Sequence, residues 1–213
     1  NAPITAVWQS NYFGVYRANM VITNVVADND YRAQVVAEAQ FLRAYFYFEI
    51  VSMFGQGPLI LEELSPSEYA QPFATKEQIY AQIEQDLVNA ALVLPVSYSG
   101  DDIFRVTKGA AQALLGKAFL YQGKWSEAAT QFEEVIGSGQ YGLWDDYMTL
   151  FTKEAEYSQE SVFEVSFVST EGYDWGTFQW GGNRAMENNI HWQLCGPRGD
   201  YFVAGSTGLI GGW

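Results

Sequence analysis

Glu38-Ala-Gln-Phe-Leu-Arg-Ala-Tyr-Phe-Tyr-Phe-Glu-Ile-Val-Ser-Met-Phe-Gly-Gln-Gly-Pro-Leu-Ile60 is the stretch whose reading decides the fold. Upstream and within it, Ala33, Val36, Ala37, Phe41, Ala44, Tyr45 and Phe48 recur at spacings of three and four, the buried stripe of an amphipathic helix. Phe46, Tyr47, Ile50, Met53 and Phe54 add apolar side chains on the other face, so the C-terminal half of this helix is expected to be buried nearly all round. Gly55 stops the helix and Pro58 redirects the chain.

The same periodicity extends outward. Trp8, Tyr12, Val15, Tyr16, Asn19 and Ile22 form the stripe of a preceding helix, and Asp28-Asn29-Asp30 supplies the turn and cap between the two. Thr75-Lys-Glu-Gln78 has capping-box spacing and opens a third helix with Ile79, Ile83, Leu87, Ala90 and Leu94 on one face, ended by Pro95. Thr107 opens a fourth. From Gln112 to Gln140 the tetratricopeptide pattern fits: Leu115, Gly116, Phe119, Gly123, Trp125, Ala128 and Phe132 take the expected small or large positions. Gln112 stands where that pattern wants a large aromatic, and Gln140 where it wants proline.

After about residue 150 the character changes. Half of the 20 glycines and four of the seven tryptophans lie in residues 172–213. Ser161 to Val168 alternates Phe163, Val165 and Phe167 with polar neighbours, as a strand does, and the rest reads as loop. The expected fold is therefore mainly α: a right-handed superhelix of tetratricopeptide-like hairpins over 1–150, then an irregular, loop-rich region with short β-strands over 151–213.

The helix around Phe41 to Phe54, with Gly55 and Pro58 behind it, resembles the signature helix of SusD/RagB-type nutrient-binding lipoproteins. Asp145-Asp146-Tyr-Met-Thr-Leu-Phe151 followed by Glu160-Ser-Val-Phe-Glu-Val165 is similar to a second stretch of that family. The resemblance implies capture of glycans or peptides at a Gram-negative cell surface and delivery to a SusC-like, TonB-dependent outer-membrane transporter. It also implies a lipidated N-terminal cysteine and a C-terminal half. Members of the family are longer than this chain, which lacks an initiator Met and stops in glycine-rich sequence at Gly211-Gly212-Trp213, so it is read as an incomplete or processed piece.

Composition narrows the ligand. Eleven Lys and Arg against 25 Asp and Glu give a net charge of −14, which repels phosphate backbones and anionic lipid and sets the chain against nucleic acid. No stretch approaches the ~18 apolar residues of a membrane span, so membrane attachment is expected only through the lipid anchor. Cys195, with His191 nearby, reads as a free thiol rather than a nucleophile.

Motifs for catalysis or cofactors do not assemble. Gly137-Ser-Gly139-Gln-Tyr-Gly142 matches a dinucleotide-binding pattern in letters, but it follows a helix instead of a strand and opens nothing regular. Glu62-Glu63, Asp101-Asp102, Glu133-Glu134 and Asp145-Asp146 are adjacent carboxylates, whereas glycosidases hold two carboxyls ~5–9 Å apart across a cleft. There is no G-x-S-x-G and no H-x-x-x-H, so neither an enzyme, a cofactor nor a metal is expected.

Two groups remain as candidate ligand contacts. Tyr173, Trp175, Trp180 and Trp192 sit among glycines and amides, a setting suited to stacking on the apolar faces of sugar rings, or alternatively to packing under C-terminal sequence beyond this chain. Trp8-x-x-Asn11 matches the spacing of a tryptophan and asparagine that line the ligand arc of starch-binding members of the resembled family, although Trp8 also fits as the apolar start of the first helix. The expected function is oligosaccharide binding and delivery. Peptide capture by the same kind of complex and a tetratricopeptide adaptor role are the alternatives.

Overall fold

The computed structural model of the protein describes residues 2–165, and residues 7–164 form one compact unit. Five α-helices are found among the described residues: α1 Ala2–Asn24, α2 Asp30–Phe54, α3 Lys76–Val93, α4 Lys108–Tyr121 and α5 Trp125–Gly137. Two short strands, β1 Gly57–Pro58 and β2 Phe73–Ala74, pair antiparallel with Gly57 opposite Ala74 and Pro58 opposite Phe73. The protein is mainly helical, and consecutive helices from α2 to α5 pack each on the next. None of the described helices is long and apolar enough to cross a membrane.

The caps lie where the sequence puts them. Asn29 accepts a hydrogen bond from the Arg32 amide, Thr107 from that of Ala110, and Thr75 and Gln78 close a reciprocal capping box, each satisfying N–H groups that a helix start leaves unpaired. Gly55 ends α2 at φ 77°, a conformation that costs a residue with a Cβ.

Packing follows the small-against-large logic of the repeat. A Cβ on Gly116 of α4 would sit 2.7 Å from the Phe132 ring of α5, so only glycine lets these two helices approach this closely. A Cβ on Gly14 would collide with Phe46 in the same way, which fixes α1 against α2. Phe41, Ala44, Tyr47, Phe48, Ile50, Ile79, Ile83, Leu87, Ala111, Leu115 and Ala118 are buried in a shared core.

Three expectations need correction. Tyr45 is only half-buried, edge-on to Phe46, and Met53 is 58% exposed, so α2 is not covered all round. Arg43 occupies a buried position there instead, because α3 presents a carboxylate to it. Of the strand expected at 161–168, the described part, 161–165, is irregular. No strand lies among the described residues to pair with it, and Phe163 packs edge-on against Phe41 at 5.3 Å between ring centres.

Candidate functional site

The segment after α2 sets the site. With strands of two residues each, most carbonyls between Pro58 and Leu61 have no ladder partner, and a backbone acceptor left without one is unfavourable. Side chains supply the bonds. Tyr12 Oη donates to Pro58 O at 2.9 Å and Asn19 Nδ2 to Ile60 O at 2.9 Å, both from α1. Tyr47 Oη, from α2, donates to Ile60 O at 2.8 Å and accepts from Ile60 N at 2.6 Å. Arg43 Nη1 donates to Leu61 O at 3.3 Å and to Asn19 Oδ1 at 2.9 Å, while its other nitrogens grip Asp86 of α3. Two helices thus hold one loop, and α3 holds Arg43 in place.

Burial pushes the Tyr12 and Tyr47 hydroxyls well above the ordinary tyrosine value, and the neighbouring Tyr47 raises Tyr12 further. Both remain protonated donors at any pH the protein meets.

The clamped loop leaves a cleft of about 290 Å³ against α1. Tyr16 on the helix and Tyr69 on the loop, 48% and 69% exposed, are bulky rings on its border, and Glu62 and Glu63 bring carboxylates. Tyr12 joins this cleft to an aromatic cluster one turn away. Trp8 lies 4.8 Å from Tyr12 at a tilt of 46°, meets Phe54 edge-on at 4.9 Å, and lies 6.1 Å from Phe73 of β2, which is 57% exposed. The face offers flat apolar rings beside hydrogen-bond acceptors, the chemistry that recognises a hydroxylated ring. Glu62 and Glu63 are neighbours on one exposed segment, an arrangement that accepts hydrogen bonds but does not hold carboxyls on opposite sides of a bond to be cut.

Of the residues singled out by sequence, Trp8 is half-buried in the aromatic cluster. Asn11 is buried, and its Nδ2 donates to Val7 O at 3.0 Å, back onto its own helix. Tyr173, Trp175, Trp180 and Trp192 lie outside the described residues, as do His191 and Cys195. Sequence reasoning missed Tyr16 and Tyr69; Glu62 and Glu63, read there as adjacent carboxylates without glycosidase geometry, are exposed. It also missed Arg43 and Asp86, whose signal was a charge of each sign inside an apolar stripe.

The glycine pattern at Gly137–Gly142 is a helix stop: α5 is capped by Ser138, Gly139 turns at φ 66°, and Gly142 N donates to Gln159 O at 2.9 Å. Asp101, Asp102, Glu133, Glu134, Asp145 and Asp146 are all exposed. Among the described residues no cluster of His, Cys, Asp or Glu is arranged to hold a metal ion.

Comparison with known proteins identifies the family. The SusD-like family model described as starch-binding associating with outer membrane matches residues 1–120. SusD-like protein P25 of Formosa agariphila is 26% identical over 170 residues, 78% of this chain and 32% of the relative. Among solved structures, a laminarin binding SusD-like protein is similar with a TM-score of 0.82 at 37% identity, over 91% of this chain and 43% of that one. Surface glycan-binding protein A from Bacteroides fluxus matches with a TM-score of 0.77 at 27% identity, over 90% of this chain and 41% of that one. The chain spans about a third of the length of the curated relatives it matches.

Proposed function

The chain belongs to the SusD-like family, and from that premise we propose that it captures neutral oligosaccharides at a Gram-negative cell surface and passes them to a SusC-like, TonB-dependent outer-membrane transporter. It binds without catalysis and is held at the outer membrane by an N-terminal lipid anchor. The observation that carries this reading is the cleft between α1 and the clamped loop, where Tyr16 and Tyr69 flank Glu62 and Glu63. Its loop is fixed before any ligand arrives, which lowers the ordering cost of binding.

Residues 1–150 act as the scaffold in this reading. Trp8 supports the aromatic face and Asn11 its helix, while Tyr173, Trp175, Trp180 and Trp192 in the 151–213 region add stacking surface. Ring stacking is individually weak, so affinity is expected at about 10 μM to 1 mM, about 4–7 kcal/mol, favouring oligomers that touch several rings. The charge of −14 disfavours uronates and sulfated sugars.

Two experiments test the proposal. Titration with neutral oligosaccharides, acidic oligosaccharides and peptides should give binding to the first alone; tight peptide binding with none to any glycan would replace it with peptide capture. Gentle solubilisation of outer membranes should co-isolate the protein with a large β-barrel transporter, and its recovery without one would remove the delivery step.

A further inference from the structure

The α4–α5 hairpin contains space that its repeat pattern normally fills. Gln112 stands at the position where the tetratricopeptide pattern has a large aromatic, and here the two helices, with Val96 and Tyr141, border a cavity of about 510 Å³. The Tyr141 ring lies where a Cβ on Gly109 would be, and its hydroxyl is 2.7 Å from Thr107 Oγ1, so this wall is fixed. Gln112 lines the cavity at only 9% exposure, yet its side-chain amide has no hydrogen-bond partner among the described residues. The amide opens on the cavity's solvent, so water completes its bonds until a ligand with its own donors and acceptors takes their place.

Charge narrows what could do so. Lys108 and the pair Glu133 and Glu134 also line the cavity, and none of the three is in an ion pair among the described residues. An anion would meet the two carboxylates, whereas a ligand with several hydroxyls can donate to Glu133 and Glu134 and accept from Lys108 and Gln112, using donors and acceptors of the lining together. Tyr141 and Val96 offer apolar surface for C–H groups. The volume falls in the range of small-molecule sites, ~300–1,000 Å³.

We propose that this cavity is a second binding site, taking a neutral polyhydroxylated ligand of one or two hexose rings. Its location rests on the cavity and Gln112; the choice of a sugar over another polyol rests on the capture reading above. It shares no lining residue with the Tyr16–Tyr69 cleft.

The test is an amide-resolved NMR titration of the intact chain with glucose and with laminaribiose, followed on Gln112→Trp, which restores the bulk of the repeat pattern, and on Gln112→Leu, which keeps the size and removes the amide. The expected result is saturable shifts at Gln112, Thr130 and Ser138 in the wild type, with affinity at these amides falling about tenfold or more in either variant. Binding of longer oligosaccharides at the Tyr16–Tyr69 cleft should be unchanged. Still amides around Gln112, or wild-type affinity in both variants, would overturn the proposal. Should Gln112→Trp fail to fold, Gln112→Leu decides alone. Oligosaccharide binding at the Tyr16–Tyr69 cleft without cavity shifts would sink this inference and leave the capture reading standing; shifts confined to the cavity would do the reverse.

Discussion

Arg43 and Asp86 meet as a two-point ion pair between α2 and α3, Nε to Oδ2 at 2.8 Å and Nη2 to Oδ1 at 2.7 Å, with only 6% and 1% of the residues exposed. The remaining guanidinium nitrogen reaches Asn19 and the Leu61 carbonyl, which ties the core of the helical stack to the loop after β1. One charge pair therefore links the helical core and the loop bordering the cleft.

Removing one partner should be costly because the other charge stays buried. Asp86→Ala is expected to lose about 3–5 kcal/mol of stability, read from urea unfolding, whereas the joint Arg43→Met, Asp86→Leu replacement should recover most of it. A single variant within about 0.5 kcal/mol of wild type would show that the pair does not close as described.

Phe41 and Tyr45 lie one turn apart on α2 but differ in burial. Phe41 is 2% exposed and touches Phe163, so Phe41→Ala should cost about 3–5 kcal/mol by leaving a cavity. Half-buried Tyr45, edge-on to Phe46 at 5.7 Å, should cost less than half as much. Equal unfolding midpoints for the two variants would contradict this assignment of faces.

That pair also marks what the sequence could and could not say. Caps at Asn29, Thr75 and Thr107 and most of the stripes of α1 to α3 were legible because they depend on local chemistry and a period of 3.6 residues. Tyr45 and Phe41 share one stripe, and only the position of neighbouring elements separates them. The cleft was not legible either: Tyr16 belongs to the apolar stripe of α1, and it becomes a rim residue only because the loop carrying Glu62 and Tyr69 folds back over that helix. Asp86 pairs with Arg43 across 43 residues of sequence, a relationship no local pattern encodes.

Alkaline pH should weaken the fold through the half-buried Tyr98. Tyr98 Oη donates to Glu38 Oε1 at 3.2 Å, beside the Arg105 guanidinium that also grips Glu38 at 2.9 Å. Burial first, and the Glu38 charge second, push the Tyr98 hydroxyl up to about 12. An unfolded tyrosine loses its proton near pH ~10, so above that pH the unfolded chain binds fewer protons than the folded one and stability falls as pH rises towards 12. Thermal midpoints measured from pH 8 to 12 should decline more shallowly in Tyr98→Phe than in wild type; parallel curves would contradict the assignment.

The most direct test of glycan capture is calorimetric titration of the intact chain with a panel of neutral oligosaccharides, repeated on Tyr16→Ala and Tyr69→Ala with whichever binds. Both rings are exposed, so folding should be undisturbed and thermal midpoints unchanged. Each variant is expected to bind about tenfold more weakly, about 1.4 kcal/mol, for the loss of one stacking surface. Wild-type affinity in both variants would contradict the claim that the cleft between α1 and the clamped loop holds the sugar.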